Sequence, residues 1–320
     1  MTTTDAPQAA PPPTGKRRIG DAVFAGLARG SGLLILVILA GVAAFLVIQA
    51  WPSLSANTAG FLTSTEWEAN VREAPAFGVA ALAFGTVLAA AIALLLATPV
   101  AVGIALFIVY YAPRRLASVL GYLVDLLAAI PSVVYGLWGI GFLAPQLVPV
   151  YGGLTEYLGW IPLFTGPAST SGRTILTASV VLAVMILPII TAMSRDVFRQ
   201  VPQGHREAAL AMGATRWEMI RLAVLPFGRS GVVGGAMLGL GRALGETMAV
   251  AMILSPSLVI SFDLLQSGNQ TIAAHIALQY PEATGYGVSA LIAAGLVLFA
   301  ITLAVNMGAR YIVARGSKEA

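Results

Sequence analysis

The sequence predicts an all-α polytopic membrane protein with six transmembrane helices. Of its 320 residues, 58% are hydrophobic, only 10% are Asp, Glu, Lys or Arg, and the mean hydropathy is +0.86. About a quarter of the residues of a typical soluble domain are charged, so a water-soluble fold could not cover this much apolar surface. The apolar residues also gather in six runs that are long enough to cross a bilayer.

The six apolar runs differ in how they begin, bend and end. The first ends at Trp51-Pro52 and is too long for the apolar core of a signal peptide. The second is interrupted at Thr98-Pro99 and is too long for one perpendicular span, so it is expected either to tilt and kink or to continue past the membrane surface. The third is interrupted at Ile130-Pro131, and a Pro/Gly-rich loop over residues 145–173 follows it. In chain order, the runs cover residues 33–50, 77–111, 116–143, 174–193, 230–254 and 287–307.

These boundaries define the expected organisation of the chain. Residues 1–30 are expected to form a disordered cytoplasmic tail, because their first part is rich in Thr, Ala and Pro. The transmembrane domain should cover residues 31–315 and include a charged loop at about 195–229. Residues 316–320 complete the chain as a second cytoplasmic tail.

The distribution of Lys and Arg predicts the orientation. Four of the eighteen precede the first run, two follow the second, six lie between the fourth and fifth, and three end the chain. Arg72 and Arg173 fall on the opposite side, and Arg242 lies within the fifth run. Because basic residues are enriched in cytoplasmic loops, both termini are expected in the cytoplasm of a bacterium. The same asymmetry accounts for the basic isoelectric point, so no nucleic-acid partner is expected.

Several kinds of chemistry find no support in the residues present. The chain has no cysteine, which excludes disulfides and thiolate metal sites, and its two histidines are far apart in sequence. His205 is expected to be solvated and His275 to lie in an external loop. No nucleotide-binding phosphate loop occurs, and no catalytic constellation is visible in the spans. We therefore expect no metal, no cofactor and no catalytic residue.

The charged loop between the fourth and fifth runs predicts a helical hairpin. An alanine-rich stretch around Glu207 favours helix, and Gly213 is expected to end or bend it. Trp217, Ile220 and Val224 then recur at helical spacing on one face. An ordinary connecting helix lying on the membrane is the alternative interpretation.

This loop resembles the EAA loop of bacterial ABC importer permeases. The similarity rests on Glu207-Ala208-Ala209, on Gly213 six residues after the glutamate, and on Leu225-Pro226; Ala223 departs from the larger aliphatic residue usual there. In that family the loop docks on a separate ATP-hydrolysing subunit. The resemblance implies the same role for Glu207, Ala208, Ala209 and Gly213.

Arg242 and Glu246 are charged residues inside an apolar run. Either would cost about 2.5–3.5 kcal/mol if it faced lipid alone. Their spacing places both on one face of a helix, where they could pair. Gly231, Gly235 and Gly239 share that face, along which another backbone could approach or a solute could pass. A guanidinium can give an oxyanion two parallel hydrogen bonds, but a structural ion pair is an equally open interpretation.

The sequence around these charges resembles that of phosphate ABC transporter permeases. The segment 239–250 matches their signature, and Phe84-Gly85-Thr86 and the segment 129–139 resemble the PstC-type subunit rather than its PstA-type partner. The resemblance covers about residue 77 to the C terminus. It implies the type I ABC importer permease fold and a role for Arg242 and Glu246 in phosphate passage.

The resemblance also implies the partners of an ATP-driven phosphate importer. These are a PstA-like permease in a heterodimer, two cytoplasmic ATPases and an external phosphate-binding protein. A permease for another oxyanion, sulfate or molybdate, is an alternative with the same fold. A stand-alone channel or carrier is a second alternative, for which the hairpin would have no purpose.

Asp125 is a further charged residue inside an apolar run, in this case the third run. It could pair with Arg242 or border a polar path. A buried acid that is satisfied locally near the cytoplasmic interface is the interpretation that we prefer.

Overall fold

The computed structural model describes residues 19–71 and 73–316, which fall into two compact units divided between Phe45 and Leu46. The described part of the first unit is the start of α1, a helix over Ile19–Ala56. None of the residues in its most apolar window is buried, as expected for a helix in lipid. Because α1 already begins at Ile19, the predicted tail of residues 1–30 extends too far; residues 1–18 lie outside the described part.

The second unit contains the remaining helices and one small hairpin. Strands β1 (Trp67–Glu68) and β2 (Ala76–Phe77) pair antiparallel, with Trp67 opposite Phe77. The helices are α2 (Ala80–Leu106), α3 (Arg114–Ala128), α4 (Ser132–Trp138), α5 (Ala144–Leu158), α6 (Ile175–Arg199), α7 (Gln203–Ala211), α8 (Arg216–Met219), α9 (Leu225–Gly245), α10 (Met248–Ile253), α11 (Ile272–Gln279) and α12 (Gly287–Gly316).

Several helices are joined by single π-helical turns or a 3-10 turn. One π-helical turn extends α2 to Tyr111, a second over Gly139–Leu143 joins α4 to α5, and a third over Ile220–Val224 joins α8 to α9. A 3-10 turn at Tyr280–Glu282 follows α11.

The prediction of six membrane-crossing helices is confirmed. Six helical segments of the described chain are long and apolar enough to span a bilayer. They are Val23–Ala56, Ala80–Tyr111, Ser132–Leu158, Ile175–Arg199, Arg216–Gly245 and Gly287–Tyr311.

Helices α2 and α6 form the centre of the second unit. The buried face of α2 consists largely of alanines, which let α6 approach closely. From α6, the larger side chains of Val181, Leu182, Met185 and Ile186 are fully or almost fully buried in the same core. Two long helices are thus held together by small residues on one and large residues on the other.

Two of the predicted apolar runs are broken helices. The third divides into α3 and α4, because Ala129 ends α3 and Pro131, with a ψ of 139°, precedes the first residue of α4. The fifth divides into α9 and α10 at Glu246-Thr247. The predicted loop over residues 145–173 is wrong in its first half, because helix α5 continues to Leu158.

The loops before α6 and after α10 are tied together by a buried carboxylate. The Asp263 side chain accepts hydrogen bonds from the backbone N–H groups of Gly166, at 2.6 Å, and Leu265, at 2.9 Å. The Gln266 amide donates to the Gly166 carbonyl at 2.7 Å. This contact fixes the entrance of α6 beside the segment that leaves the broken fifth span.

Candidate functional site

The glycine stripe of α9 is a helix-packing surface. A side chain at Gly235 would meet Met193 Cβ at 2.9 Å and Ile190 Cα at 3.6 Å, and one at Gly231 would overlap Val197. Of the two uses predicted for this stripe, close approach of another helix is therefore correct. The partner is α6.

Arg242 follows this stripe near the end of α9. Gly239, three residues before it, packs on Ile186 and Ile190 at the middle of α6. The guanidinium is half-buried and near enough to the Tyr135 phenol for an electrostatic interaction. The Tyr135 hydroxyl donates to the Leu127 carbonyl at 2.9 Å, across the break between α3 and α4. Arg242 thus lies three residues before the end of α9, level with the middle of α6, where one broken helix meets the other.

The predicted ion pair between Arg242 and Glu246 is wrong. Helix α9 ends at Gly245, and Glu246 has extended backbone angles, with φ −69° and ψ 127°. Its side chain, 9% exposed, instead accepts a hydrogen bond from the Ala249 N–H at 3.1 Å. The i, i+4 rule does not apply because the helix it assumes is interrupted. Glu246 caps the start of α10, and the Arg242 guanidinium makes no hydrogen bond or ion pair within the described residues.

Two glycines of α4 and its π-helical turn let α10 pack closely. A side chain at Gly136 would meet Ala249 Cα at 2.9 Å, and one at Gly139 would meet Ile253 Cδ1 at 2.8 Å. Both glycines belong to the segment 129–139 that carries the family resemblance. The two glycines are therefore explained by the close contact of α10 with α4 and its π-helical turn.

Arg173 holds the other end of α10, a role that the sequence analysis missed. Its Nε donates to the Ile253 carbonyl at 3.2 Å, and its Nη2 donates to the carbonyls of Leu254 at 2.9 Å and Met252 at 3.5 Å. A cation at this position satisfies free carbonyls and complements the helix dipole. A lone arginine in the loop before α6, next to the helix-capping Thr174, was the available signal.

Gly85 and Thr86 of α2 accept the segment that follows α10. The Gln270 carbonyl lies where a Gly85 side chain would be. The Thr86 hydroxyl accepts from the Ile272 N–H at 2.9 Å and donates to the Leu82 carbonyl at 2.7 Å. Gly85 and Thr86 of the Phe84-Gly85-Thr86 motif are thus explained by the packing of an irregular segment, the one before α11, on helix α2.

Asp125 pairs with a residue other than the one proposed. It lies near the end of α3, and its carboxylate is 3.3 Å from Arg195 Nη2 on α6. The preferred interpretation of a buried acid that is satisfied locally is wrong, because the Asp125 side chain is 56% exposed and its partner lies on another helix. Arg195, counted as a loop residue in the sequence analysis, is the buried member of the pair.

His275 is buried on α11 and not exposed in a loop. Its ring packs edge to face on Trp67, with 4.5 Å between centroids, and its Nε2 has no hydrogen-bond partner among the described residues. Burial lowers the pKa of His275 to about 4. His205 is solvent-exposed as predicted, although it lies on α7.

The predicted helical hairpin is confirmed, and the chain turns at Gly213. Gly213 has φ +85°, its N–H donates to the Leu210 carbonyl at 3.0 Å, and the Ala214 N–H donates to the Ala209 carbonyl at 3.2 Å. This is the Schellman arrangement that ends helices at a left-handed residue. A capping box between Thr215 and Glu218 then starts α8.

Some residues of the helical hairpin are buried and others are exposed. Glu207 and Ala208 are exposed, whereas Ala209 is buried. Met212 at the turn is 81% exposed and Trp217 is 58% exposed. Met212 forms an apolar surface at the turn that the chain itself does not cover, whereas Trp217 lines an apolar groove with Leu94 and Leu106 of α2.

The predicted face of Trp217, Ile220 and Val224 is divided between core and surface. Ile220 and Val224 are fully buried against Phe198 and the end of α2, and the π-helical turn that they begin and end alters the helical spacing. Trp217 is left on the surface.

Comparison with known proteins gives a consistent result. Residues 97–318 match the family described as binding-protein-dependent transport system inner membrane component. The chain is 50% identical over 298 residues to the phosphate transport system permease protein PstC 2 of Mycobacterium tuberculosis, covering 92% of each chain. It is 42% identical to PstC of Mesorhizobium japonicum, covering 92% of this chain and 90% of the relative. It is 40% identical to PstC of Xylella fastidiosa strain Temecula1, covering 100% and 99%.

Solved structures of ABC transporters share the fold. The inward-facing MetNI methionine transporter matches with a TM-score of 0.52 at 18% identity, covering 72% of this chain and 93% of that one. A bacterial transporter for the import of alginate also gives 0.52, at 20% identity, covering 73% and 78%. At these identities the likeness concerns the fold alone. The architecture is that of an ABC importer permease.

Proposed function

The chain belongs to the family of binding-protein-dependent transport system inner membrane components, and we propose that it is a PstC-type permease through which inorganic phosphate enters the cell. It is a multi-pass inner-membrane subunit of an ABC importer and not itself an enzyme. The similarity to PstC proteins along almost the whole chain supports phosphate as the substrate. We place both termini and the hairpin in the cytoplasm, as the distribution of basic residues suggests.

The observation that carries this proposal is the position of Arg242. Its guanidinium lies near the end of α9, beside the breaks in two helices, and has no ion-pair partner within the described residues. A planar guanidinium can donate two parallel hydrogen bonds to a phosphate group. Because a single arginine offers only one such pair, the anion is held weakly enough to leave.

Glu246 has a different part in the same site. By accepting a hydrogen bond from Ala249 it fixes the start of α10 and therefore the break itself. It leaves the neighbouring guanidinium free for the transported anion. We infer that Arg242 contacts phosphate and that Glu246 holds the pathway open beside it.

The helical hairpin supplies the connection to the ATP-hydrolysing subunits. From Arg216 the chain runs helically through a π-helical turn to Gly245. At 1.5 Å per residue, Arg216 and Arg242 are about 39 Å apart along this continuous element. A push on the Glu207–Gly213 part of the hairpin would thus reach Arg242 through one stiff helix.

We propose the partners that are usual for the family. Two cytoplasmic ATPase subunits would hydrolyse ATP and engage Glu207, Ala208, Ala209 and Gly213. A PstA-like permease would complete the pathway, and an external phosphate-binding protein would deliver the anion. The exposed Met212 side chain at the turn is an apolar contact that a groove on the ATPase would bury.

Phosphate uptake by the reconstituted complex tests the site. Arg242→Leu should abolish ATP-driven uptake of radiolabelled phosphate while the subunits still co-purify. Arg115→Leu is the matched control, because Arg115 is exposed on α3 and away from the breaks. Normal uptake by Arg242→Leu would remove the site assignment.

Two further measurements address the alternatives. Excess unlabelled sulfate or molybdate should leave phosphate uptake unchanged; inhibition at equimolar concentration would favour the other oxyanion importers. Uptake that continues without ATP would instead identify a channel or an ion-driven carrier.

A further inference from the structure

A groove between α9 and α12 lies apart from the proposed pathway. It has a volume of about 390 Å³. Its walls include Ser230, Gly234 and Leu238 from α9 and Asn306, Ala309 and Arg310 from α12. The residues come from the first half of α9 and the last turns of α12, so the groove lies toward the end of the unit that bears the hairpin.

The groove has two chemically distinct parts. Arg310, Asn306 and Ser230 provide a positive charge and hydrogen-bonding groups, whereas Leu238 and its neighbours Val233 and Met237 are apolar. The Arg310 side chain is exposed and makes no hydrogen bond or ion pair with any other described residue. Such a site suits a ligand with an anionic head and an apolar tail.

We propose that this groove binds an anionic phospholipid, with its phosphodiester at Arg310 and Asn306 and an acyl chain along Gly234 and Leu238. The orientation in the proposed function places the groove in the cytoplasmic leaflet, where basic pockets between helices attract anionic headgroups. Free phosphate fits the groove less well. Most of its wall is apolar, and a dianion would have one cation and few donors.

Gly234 provides the space that an acyl chain needs. Apart from its chain neighbours and the adjacent backbone of its own helix, no described atom lies within 4 Å of the position that its Cβ would occupy. A leucine there should therefore fold normally and fill the groove. Gly308 on α12 has equally open surroundings and is not part of the groove wall, so Gly308→Leu is the matched control.

Lipid binding can be measured separately from transport. The assembled transporter is placed in nanodiscs of 20% phosphatidylglycerol and 80% phosphatidylcholine, and retained lipids are counted by native mass spectrometry. We expect phosphatidylglycerol to be enriched in the wild type. Arg310→Gln should weaken its binding about fivefold, which corresponds to about 1 kcal/mol, whereas Arg115→Gln should not.

Each comparison has an outcome that would overturn the proposal. The first is equal retention of the two lipids by the wild type, and the second is unchanged phosphatidylglycerol binding in both Arg310→Gln and Gly234→Leu. Displacement of the lipid by millimolar inorganic phosphate would mean that the groove binds the free anion. Because uptake is not the readout, failure of the phosphate-pathway proposal would leave these results interpretable.

Discussion

Arg195 and Asp125 join the end of α3 to α6 through an ion pair of 3.3 Å. Only 10% of the Arg195 side chain is exposed, whereas Asp125 is 56% exposed. Asp196, 57% exposed, offers a second carboxylate at 3.4 Å. The buried guanidinium therefore depends on two carboxylates that are both partly in water.

Removing these carboxylates should give non-additive losses of stability. Asp125→Asn and Asp196→Asn alone should each cost about 1 kcal/mol or less, because the remaining carboxylate still balances Arg195. The double variant should cost about 3 kcal/mol or more, since it leaves a buried charge unpaired. Thermal unfolding of the purified complex measures the three values. Additive losses would show that the carboxylates do not share one partner.

Arg173 should stabilise α10 through hydrogen bonds that lysine cannot reproduce. Arg173→Ala should lower the free energy of unfolding by about 2–3 kcal/mol, because carbonyls at the helix end lose a charged donor. Arg173→Lys should restore only the dipole interaction, about 0.3–1 kcal/mol. Denaturant unfolding gives the values, and full rescue by lysine would contradict the hydrogen-bonding role.

Gly213 should be required for the hairpin because of its backbone conformation. Nothing surrounds the position of its side chain, so Gly213→Ala tests only the φ of +85° and should cost about 1 kcal/mol. We expect less ATPase to co-purify and less uptake per ATP hydrolysed. Gly204→Ala is the control, since Gly204 lies in the same hairpin with open surroundings and within helix α7. Equal behaviour of the two variants would exclude a conformational role for Gly213.

The sequence predicted the number of spans and the hairpin because these depend on local signals. Apolar runs of sufficient length and a glycine that follows an alanine-rich helix are visible without tertiary information. The same reasoning failed at Arg242 and Glu246. Helical spacing assumes an unbroken helix, and here Gly245 and the capping carboxylate of Glu246 end one helix and start another.

The remaining errors involve contacts between distant segments. Asp125 and Arg195 are 70 residues apart, and Arg173 meets carbonyls about 80 residues away. Neither spacing has a sequence signature, because the contacts exist only after α3, α6 and α10 have packed. The burial of His275 has the same origin, since its neighbour Trp67 belongs to the β-hairpin formed by β1 and β2, about 200 residues earlier in the chain.

His275 should make the protein less stable in acid. Its pKa of about 4 in the folded protein is below the ordinary value of 6.5, so the unfolded chain binds the proton more readily. Stability from this group is complete above about pH 6.5 and falls as the pH decreases toward 4. Between pH 7 and pH 5 the loss should be about 2 kcal/mol.

Replacing His275 with phenylalanine separates this effect from other acid-sensitive contacts, because the new ring is similar in size and does not titrate. His275→Phe retains the edge-to-face packing on Trp67 and removes the Nε2 that lacks a partner. Its unfolding temperature should therefore change less than that of the wild type between pH 7 and pH 5. His205→Phe, at an exposed position on α7, should keep the wild-type dependence. An unaltered pH profile in His275→Phe would mean that other groups govern the acid sensitivity.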